Sequence, residues 1–364
     1  MTTAQASLQL RALIDTGQAE LPLPGDGRTL ARWSALAAVA ARDLSLVKLF
    51  EGHTDAVAIL AEAAVLGRSR ESSIAAGSPL VASAARSGGP AYGVWAAEPP
   101  GARVTFRRMP DGSVALSGTK AWCSGATVLD RALLTVWPED GVSGGSATSS
   151  PATGPWLADV ELDQPGVSFD ASRWKAVGMV DSASASVRFE TASARLVGGA
   201  GFYLSRPGFW HGGIGVAACW HGAACAAASA LRVQTEAAAA RHSEAAPSGG
   251  VDPGWHRALA LGEIDRLLSA NAALLREAAA WVDRDPEGDA RAWALRTRAA
   301  SDECAQQVLR AVARAMGAGP LCHDEALARL AADLPVFIRQ CHGDRDLVAL
   351  GHAILNHAEA TWTL

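Results

Sequence analysis

The chain is poor in the patterns that would announce several common functions. Its six cysteines (Cys123, Cys219, Cys225, Cys304, Cys322 and Cys341) form no Cys-x-x-Cys pair and no Cys/His zinc spacing. No metal site is expected, and reduced thiols in a cytoplasmic protein are the plain reading. Basic residues are not in excess. Thirty-two Lys and Arg face 37 Asp and Glu, for a net charge of -5 and a pI near 6.0. That balance argues against a nucleic-acid or anionic-membrane partner, either of which needs a concentrated basic face. The Ala-rich segments carry Arg, Asp, Glu or His often enough that no transmembrane helix is expected. The N-terminus lacks a basic region followed by an apolar core and cleavage site, so no signal peptide is expected.

What the chain does have is a globular composition of 49% hydrophobic and 19% charged residues over 364 positions. That length allows two or three domains. Leu8, Leu10, Leu13 and Ile14 suit a short amphipathic helix, broken by Pro22, Pro24, Gly25 and Gly27. From Leu30 to Phe50 apolar residues recur every three to four positions, predicting one helix, and Thr54 to Leu66 repeats the pattern with Gly67 as a stop. Ser69–Pro90 is Ser/Gly-rich and reads as loop with room for one short helix.

The pattern then changes. Val104 and Phe106 alternate with polar neighbours, Pro110-Asp111-Gly112 supplies a turn, and Val114 and Leu116 alternate again, which predicts a hairpin. Ala132–Trp137, Trp156–Leu162 and Ser184–Glu190 read as strands. Glu139–Pro155 has almost no apolar side chains and is expected to be a surface loop. Beyond Gly208 the helical periodicity returns, over Phe209 to about His242, Trp255 to Val282, Arg291–Met316, Glu325–Ala332 and Val336–Leu350. Gly317-Ala318-Gly319-Pro320 is a strong helix stop. The glycine-rich first member needs close helix approach to offset its poor propensity. On it, His211 and His221 are ten residues apart and could line one face.

Two segments resemble the acyl-CoA dehydrogenase family. Ala97-Glu98-Pro99-Pro100-Gly101 is similar to that family's Thr-Glu-Pro-x-x-Gly. Gly118-Thr119-Lys120-Ala121-Trp122-Cys123-Ser124-Gly125-Ala126 is similar to its Gly-x-Lys-x-(Trp/Phe)-Ile-(Ser/Thr)-(Asn/Gly)-Ala. They occur in the family's order and at about its spacing. Asp43-Leu44-Ser45-Leu46 and Glu51-Gly52-His53 resemble a segment of its N-terminal domain. The resemblance implies a mostly α protein with a central β domain. Its parts are an N-terminal helical domain (1–90), a middle β-barrel-like domain (91–200) and a C-terminal four-helix bundle (201–364). It also implies an FAD-dependent oxidoreductase that acts on a small molecule such as an acyl-CoA, as a homodimer or homotetramer.

Carried over residue by residue, the resemblance makes Trp122 and Ser124 the flavin-ring contacts, with Trp95 and Ala97 adding backbone contacts. Read from the residues alone, Trp122 and Ser124 sit two apart and would share one strand face. Without the resemblance, a partly buried Trp and a surface Ser in a β domain is the plain reading. The family's Arg-x-x-Phe-Gly is missing. Arg241-His242-Ser243-Glu244 is the nearest stretch, so Arg241 is the candidate for a phosphate contact. Gln-x-x-Gly-Gly maps onto Arg314-Ala315-Met316-Gly317-Ala318, which points to Gly317.

The chain departs from the family at other points too. Ala97 replaces a Thr, and Gly101-Ala102-Arg103 replaces Gly-Ser-Asp, whose Ser usually touches acyl-CoA. The family's catalytic Glu aligns with Cys341. The alternative base position, around His211-Gly212-Gly213, holds no carboxylate. His342 and Asp344 are candidates for a displaced base, although His342-Gly343-Asp344-Arg345-Asp346 could equally be a solvated ion-pair turn. The other readings are a flavin monooxygenase of the same fold, which does not need the thioester base, and a silent relative acting as a partner subunit.

Overall fold

The computed structural model describes residues 2–69, 87–139, 154–243, 254–356 and 362, without the side chains of 67–69 and 241–243. Most of Ser69–Pro90 and Glu139–Pro155 therefore lies outside the described residues. The chain forms two compact units. One comprises Met1–Leu23, Lys48–Ala176 and Val180–Phe209, and the other Pro24–Val47, Val177–Met179 and Trp210–Leu364.

The first unit holds all seven strands among the described residues: β1 (Tyr92–Trp95), β2 (Val104–Arg108), β3 (Val114–Cys123), β4 (Arg131–Pro138), β5 (Trp156–Glu161), β6 (Val167–Asp170) and β7 (Ala185–Val197). The expected hairpin is β2–β3, paired from Val104↔Gly118 to Arg108↔Val114. β3 pairs β7, β7 pairs β5, β5 pairs β4, and β4 returns to β2 in parallel at Thr105↔Trp137. The ring closes, so the sheet is a barrel that leaves few free edges. β6, a strand that the sequence reading passed over, adds to β7. Its residues are half-buried or exposed, so no clean alternation marks it. Helix α1 (Thr3–Asp15) belongs to this unit and starts with a capping box in which Thr2 and Gln5 satisfy each other's backbone N–H. The core joins Ile59, Leu60, Tyr92, Leu133, Leu157, Val197 and Phe202.

The predicted helix from Leu30 to Phe50 is in fact interrupted. α2 (Thr29–Ala40) stops, and α3 (Leu44–Ser69) then runs without a break. Asp43 causes the division, because its Oδ1 accepts the Leu46 N–H at 2.7 Å and so begins a new helix.

The second unit contains α5 (Gly208–Ser243), α6 (Trp255–Arg284), α7 (Arg291–Met316), α8 (Ala318–His323), α9 (Glu325–Phe337) and α10 (Asp344–Leu355), with the short α4 (Phe202–Ser205) belonging to the barrel unit. α6 and α10 both pack on α7, and α2 packs on α6. The Gly317 stop holds, with φ +68°, but the chain restarts at once as α8, with Pro320 in its first turn, where the missing N–H costs nothing. Pro335 does not divide α9 either. The break comes at Ile338–Gly343.

By length and composition Gly208–Ala240 could cross a membrane, contrary to the expectation that charges interrupt every such segment. Most of it is core, however, with Ile214, Ala217, Trp220, Ala223, Ala227 and Leu231 buried. Its glycines serve the expected close approach. A Cβ at Gly222 would lie 2.2 Å from the Ala37 carbonyl oxygen on α2. His211 and His221 do not share a face, since ten residues at 100° each leave them about 80° apart. His221 is half-buried and hydrogen-bonded, 3.0 Å from Asn271 Nδ2, and Asn271 in turn accepts from Ser301.

Candidate functional site

At the end of β3 the chain does something that strands rarely do. Lys120 pairs with Val187 and Cys123 with Ala185, so Ala121 and Trp122 together oppose the single Ser186 in a bulge. Within the bulge Trp122 adopts φ +58°. A bulky residue held there costs on the order of 1–3 kcal/mol. The bulge turns the indole outward, and Trp122 is 62% exposed. The same-face argument for Trp122 and Ser124 therefore fails. β3 ends at Cys123, Ser124 begins a turn, and the bulge resets the alternation.

Anchors lie on both sides of the strained residue. After it, Cys123 is fully buried, Trp95 Nε1 donates to the Ser124 carbonyl at 2.9 Å, and Gly125 N–H donates to the Ser182 carbonyl at 2.8 Å. Ser184 Oγ reaches Ser124 Oγ at 3.3 Å and Ser182 Oγ at 2.8 Å, and Ala183 between them is also left-handed, at φ +51°. The turn thus combines an exposed indole at position 122 with a short chain of hydroxyls at 124, 184 and 182.

Before it, Lys120 is fully buried. Its Nζ donates to Thr135 Oγ1 (2.6 Å), the Thr135 carbonyl (3.1 Å) and Glu98 Oε1 (3.3 Å). Glu98 also accepts from Thr135 Oγ1 at 2.7 Å and Trp137 Nε1 at 2.9 Å. Burial lowers the Lys120 pKa, and the Glu98 charge opposes that shift. Burial would raise Glu98, but the Thr135 and Trp137 hydrogen bonds and the Lys120 charge outweigh it and hold the carboxyl below its ordinary value. In the sequence Lys120 stands out only as one letter of the Gly118–Ala126 motif. A signal was available: Lys120 is in phase with Val114, Leu116 and Gly118, so alternation along β3 puts a charge on an inward position.

The other candidates lie outside the bulge. Trp95 is buried, and its role is the bond to Ser124. Ala97 is half-buried next to Glu98. Arg241 is helical, with its side chain outside the described residues. Gly317 lies at the α7–α8 junction with no atom within 4 Å of the place a Cβ would take. Cys341 is buried, and burial raises its thiol pKa, so it stays protonated. Asp346 gathers this turn. Its Oδ2 accepts from the His342 N–H at 3.0 Å and faces Cys341 Sγ at 3.5 Å, while Oδ1 is 3.4 Å from His342 Nδ1. The His342 side chain is 69% exposed. Asp344 opens α10 and Gly343 precedes it with φ +57°. Arg298 donates to the carbonyls of both Gly213 (2.9 Å) and Gln340 (2.6 Å). A guanidinium thus spans the two places where the resemblance would put a carboxylate. Among the described residues no group of three metal-ligating side chains occurs, and all six cysteines are free.

No protein-family model and no curated protein sequence matches the chain. Solved structures do. KijD3, in complex with FMN and dTDP-3-amino-2,3,6-trideoxy-4-keto-3-methyl-D-glucose, is 19% identical over 97% of this chain and 87% of its own, with a TM-score of 0.75. The dibenzothiophene monooxygenase TdsC from Paenibacillus sp. A11-2, with FMN and indole, is 18% identical over 99% of this chain and 98% of its own, with a TM-score of 0.74. Butyryl-CoA dehydrogenase from Megasphaera elsdenii is 16% identical over 95% and 89%, with a TM-score of 0.73. The chain has the acyl-CoA dehydrogenase fold.

A flavin can be tested against the residues present. Its isoalloxazine ring is flat and apolar on its faces and polar at its edge. An exposed indole on a strained backbone suits the face of such a ring, and the half-buried Ser124, two residues on in sequence, offers a hydroxyl for its edge. The residues fit.

Proposed function

We propose that the protein is a flavin-dependent oxidoreductase whose reaction is oxygen transfer to a small molecule rather than α,β-dehydrogenation of an acyl thioester. Trp122 carries the first half of the reading: a large aromatic side chain is held exposed at an unfavourable backbone angle, which folding alone does not reward. When bound, the flavin would supply the redox chemistry. Trp122 would wall its ring, Ser124 would hydrogen-bond its polar edge, and Trp95 would hold Ser124 in place.

The second half rests on the missing base. Removing an α-proton needs a base of tuned pKa at the reacting carbon, which in the resembled family is a carboxylate. The aligned position has a buried, protonated Cys341, and Arg298 stands between the two usual places. Two of the similar structures contain FMN, and one of those proteins is a monooxygenase. The missing Arg-x-x-Phe-Gly favours FMN over the FAD that the sequence resemblance implies. A cytoplasmic homo-oligomer completes the proposal.

The purified protein should bind FMN or FAD with visible absorbance and resist anaerobic bleaching by acyl-CoAs. It should take up oxygen when a flavin reductase and NAD(P)H are supplied. His342→Ala and Asp344→Ala should leave that uptake within about twofold, since neither side chain has a role in it. Failure to bind either flavin would refute the flavoprotein reading. Bleaching by an acyl-CoA that is lost in His342→Ala would instead establish dehydrogenation by a displaced base, to which the His342–Asp346 pair lends its one structural support.

A further inference from the structure

We propose that Lys120, together with Glu98, is a positioning residue that holds Trp122 in its outward, left-handed conformation. The inference rests on the reading of Trp122 as the flavin wall. A strained residue persists only where the surrounding contacts over-determine it. On the C-terminal side of Trp122 those contacts are Cys123, the Trp95–Ser124 bond and the Gly125–Ser182 bond. On the N-terminal side the chain must be gripped just as firmly, and Lys120, two residues away, is the grip. Its ammonium meets three oxygens from β4 and from the segment that follows β1. Glu98 closes the arrangement by accepting from both Thr135 and Trp137.

Stability alone does not call for this cluster. Lys120 is fully buried while the Glu98 side chain keeps 23% of its exposure, and a pair that takes a charge out of water can often be replaced by apolar side chains of similar volume with little loss, because desolvation offsets the attraction. What the pair adds is geometry. It ties together the Ala97-Glu98 segment, the end of β3 and the middle of β4, and the first two carry candidate ring contacts. An apolar side chain at position 120 would fill the space and leave β3 free to settle into regular pairing with β7, turning Trp122 off its bulge.

The test uses the full-length chain in two variants, Lys120→Met and the charge-balanced Glu98→Gln/Lys120→Met. Hydrogen exchange without added flavin is the first readout. The double variant should retain wild-type protection across β2, β4, β5 and β7, while amides of residues 121–125 exchange at least tenfold faster. The second readout is binding of FMN and FAD, expected to weaken at least tenfold with the thermal midpoint unchanged or raised. Unchanged exchange at 121–125 in the double variant would overturn the proposal. So would loss of the folded barrel in both variants, because the pair would then be a requirement of the fold and not of Trp122. If the wild-type chain binds neither flavin, the proposed function fails by itself, and the exchange data still decide the role of Lys120.

Discussion

Replacing Trp122 by Gly and by Ala separates strain from packing. The two variants delete nearly the same side chain, so lost burial largely cancels between them. What differs is the backbone. A residue with a Cβ in the left-handed region costs about 1–2 kcal/mol, which Gly does not incur. Gly loses more freedom on folding, at about 0.5–1 kcal/mol. With Trp122 at φ +58°, Trp122→Gly should therefore be more stable than Trp122→Ala by about 0.5–1 kcal/mol, the reverse of their usual order in a strand. Urea unfolding of the flavin-free protein measures this directly. Flavin binding should not distinguish the variants. Both lose the indole face, worth about 1–2 kcal/mol, so both dissociation constants should rise roughly 5- to 30-fold. If the Ala variant proves as stable as the Gly variant, Trp122 is not held left-handed in solution, and the case for a strained, functional indole collapses. If only stability responds and flavin affinity does not, the ring is strained for some other purpose.

His53 gives a pH dependence. It is 2% exposed, and its Nδ1 accepts the Tyr92 N–H at 3.3 Å, so the fold needs the neutral ring. Burial, reinforced by the Arg11 charge and opposed by Asp130, lowers its pKa from 6.5 to about 4. The folded value lies below the unfolded one, so the contribution is complete above pH 6.5 and is lost as pH falls toward 4. It amounts to about 3 kcal/mol. Denaturation at a series of pH values should show that slope, and His53→Gln should flatten it; an unchanged slope would place the titration elsewhere. Gly222→Ala should destabilise the protein by about 1–3 kcal/mol even though Ala gains about 1 kcal/mol of helix propensity, because the added methyl meets the α2 backbone. A stabilised variant would mean that α2 and α5 are not in such close contact.

Much of the fold was legible because local chemistry and tertiary structure agreed. The β2–β3 hairpin follows from alternation around Pro110-Asp111-Gly112, α7 from its periodicity and the Gly317 stop, and the two motif segments mark the barrel end. Each of these signals is carried by neighbours in sequence, so it survives without knowledge of packing. The sequence alone also determined that no carboxylate stands at position 341 or around Gly213. Other features needed the third dimension. Asp43 divides what periodicity joined, because a single side-chain cap outweighs a continuing apolar stripe. Pro335 fails to divide α9, and α8 begins directly after a stop. Barrel closure depends on β4 finding β2, β5 and β1 at once, pairings between segments remote in sequence. The outward turn of Trp122 was decided in the same way. Alternation would place it by parity with Ser124. The bulge opposite Ser186, the grip of Lys120 on Thr135 and Glu98, and the Trp95 bond to Ser124 place it otherwise. These contacts span up to 64 positions, and no local preference would choose a left-handed tryptophan without them.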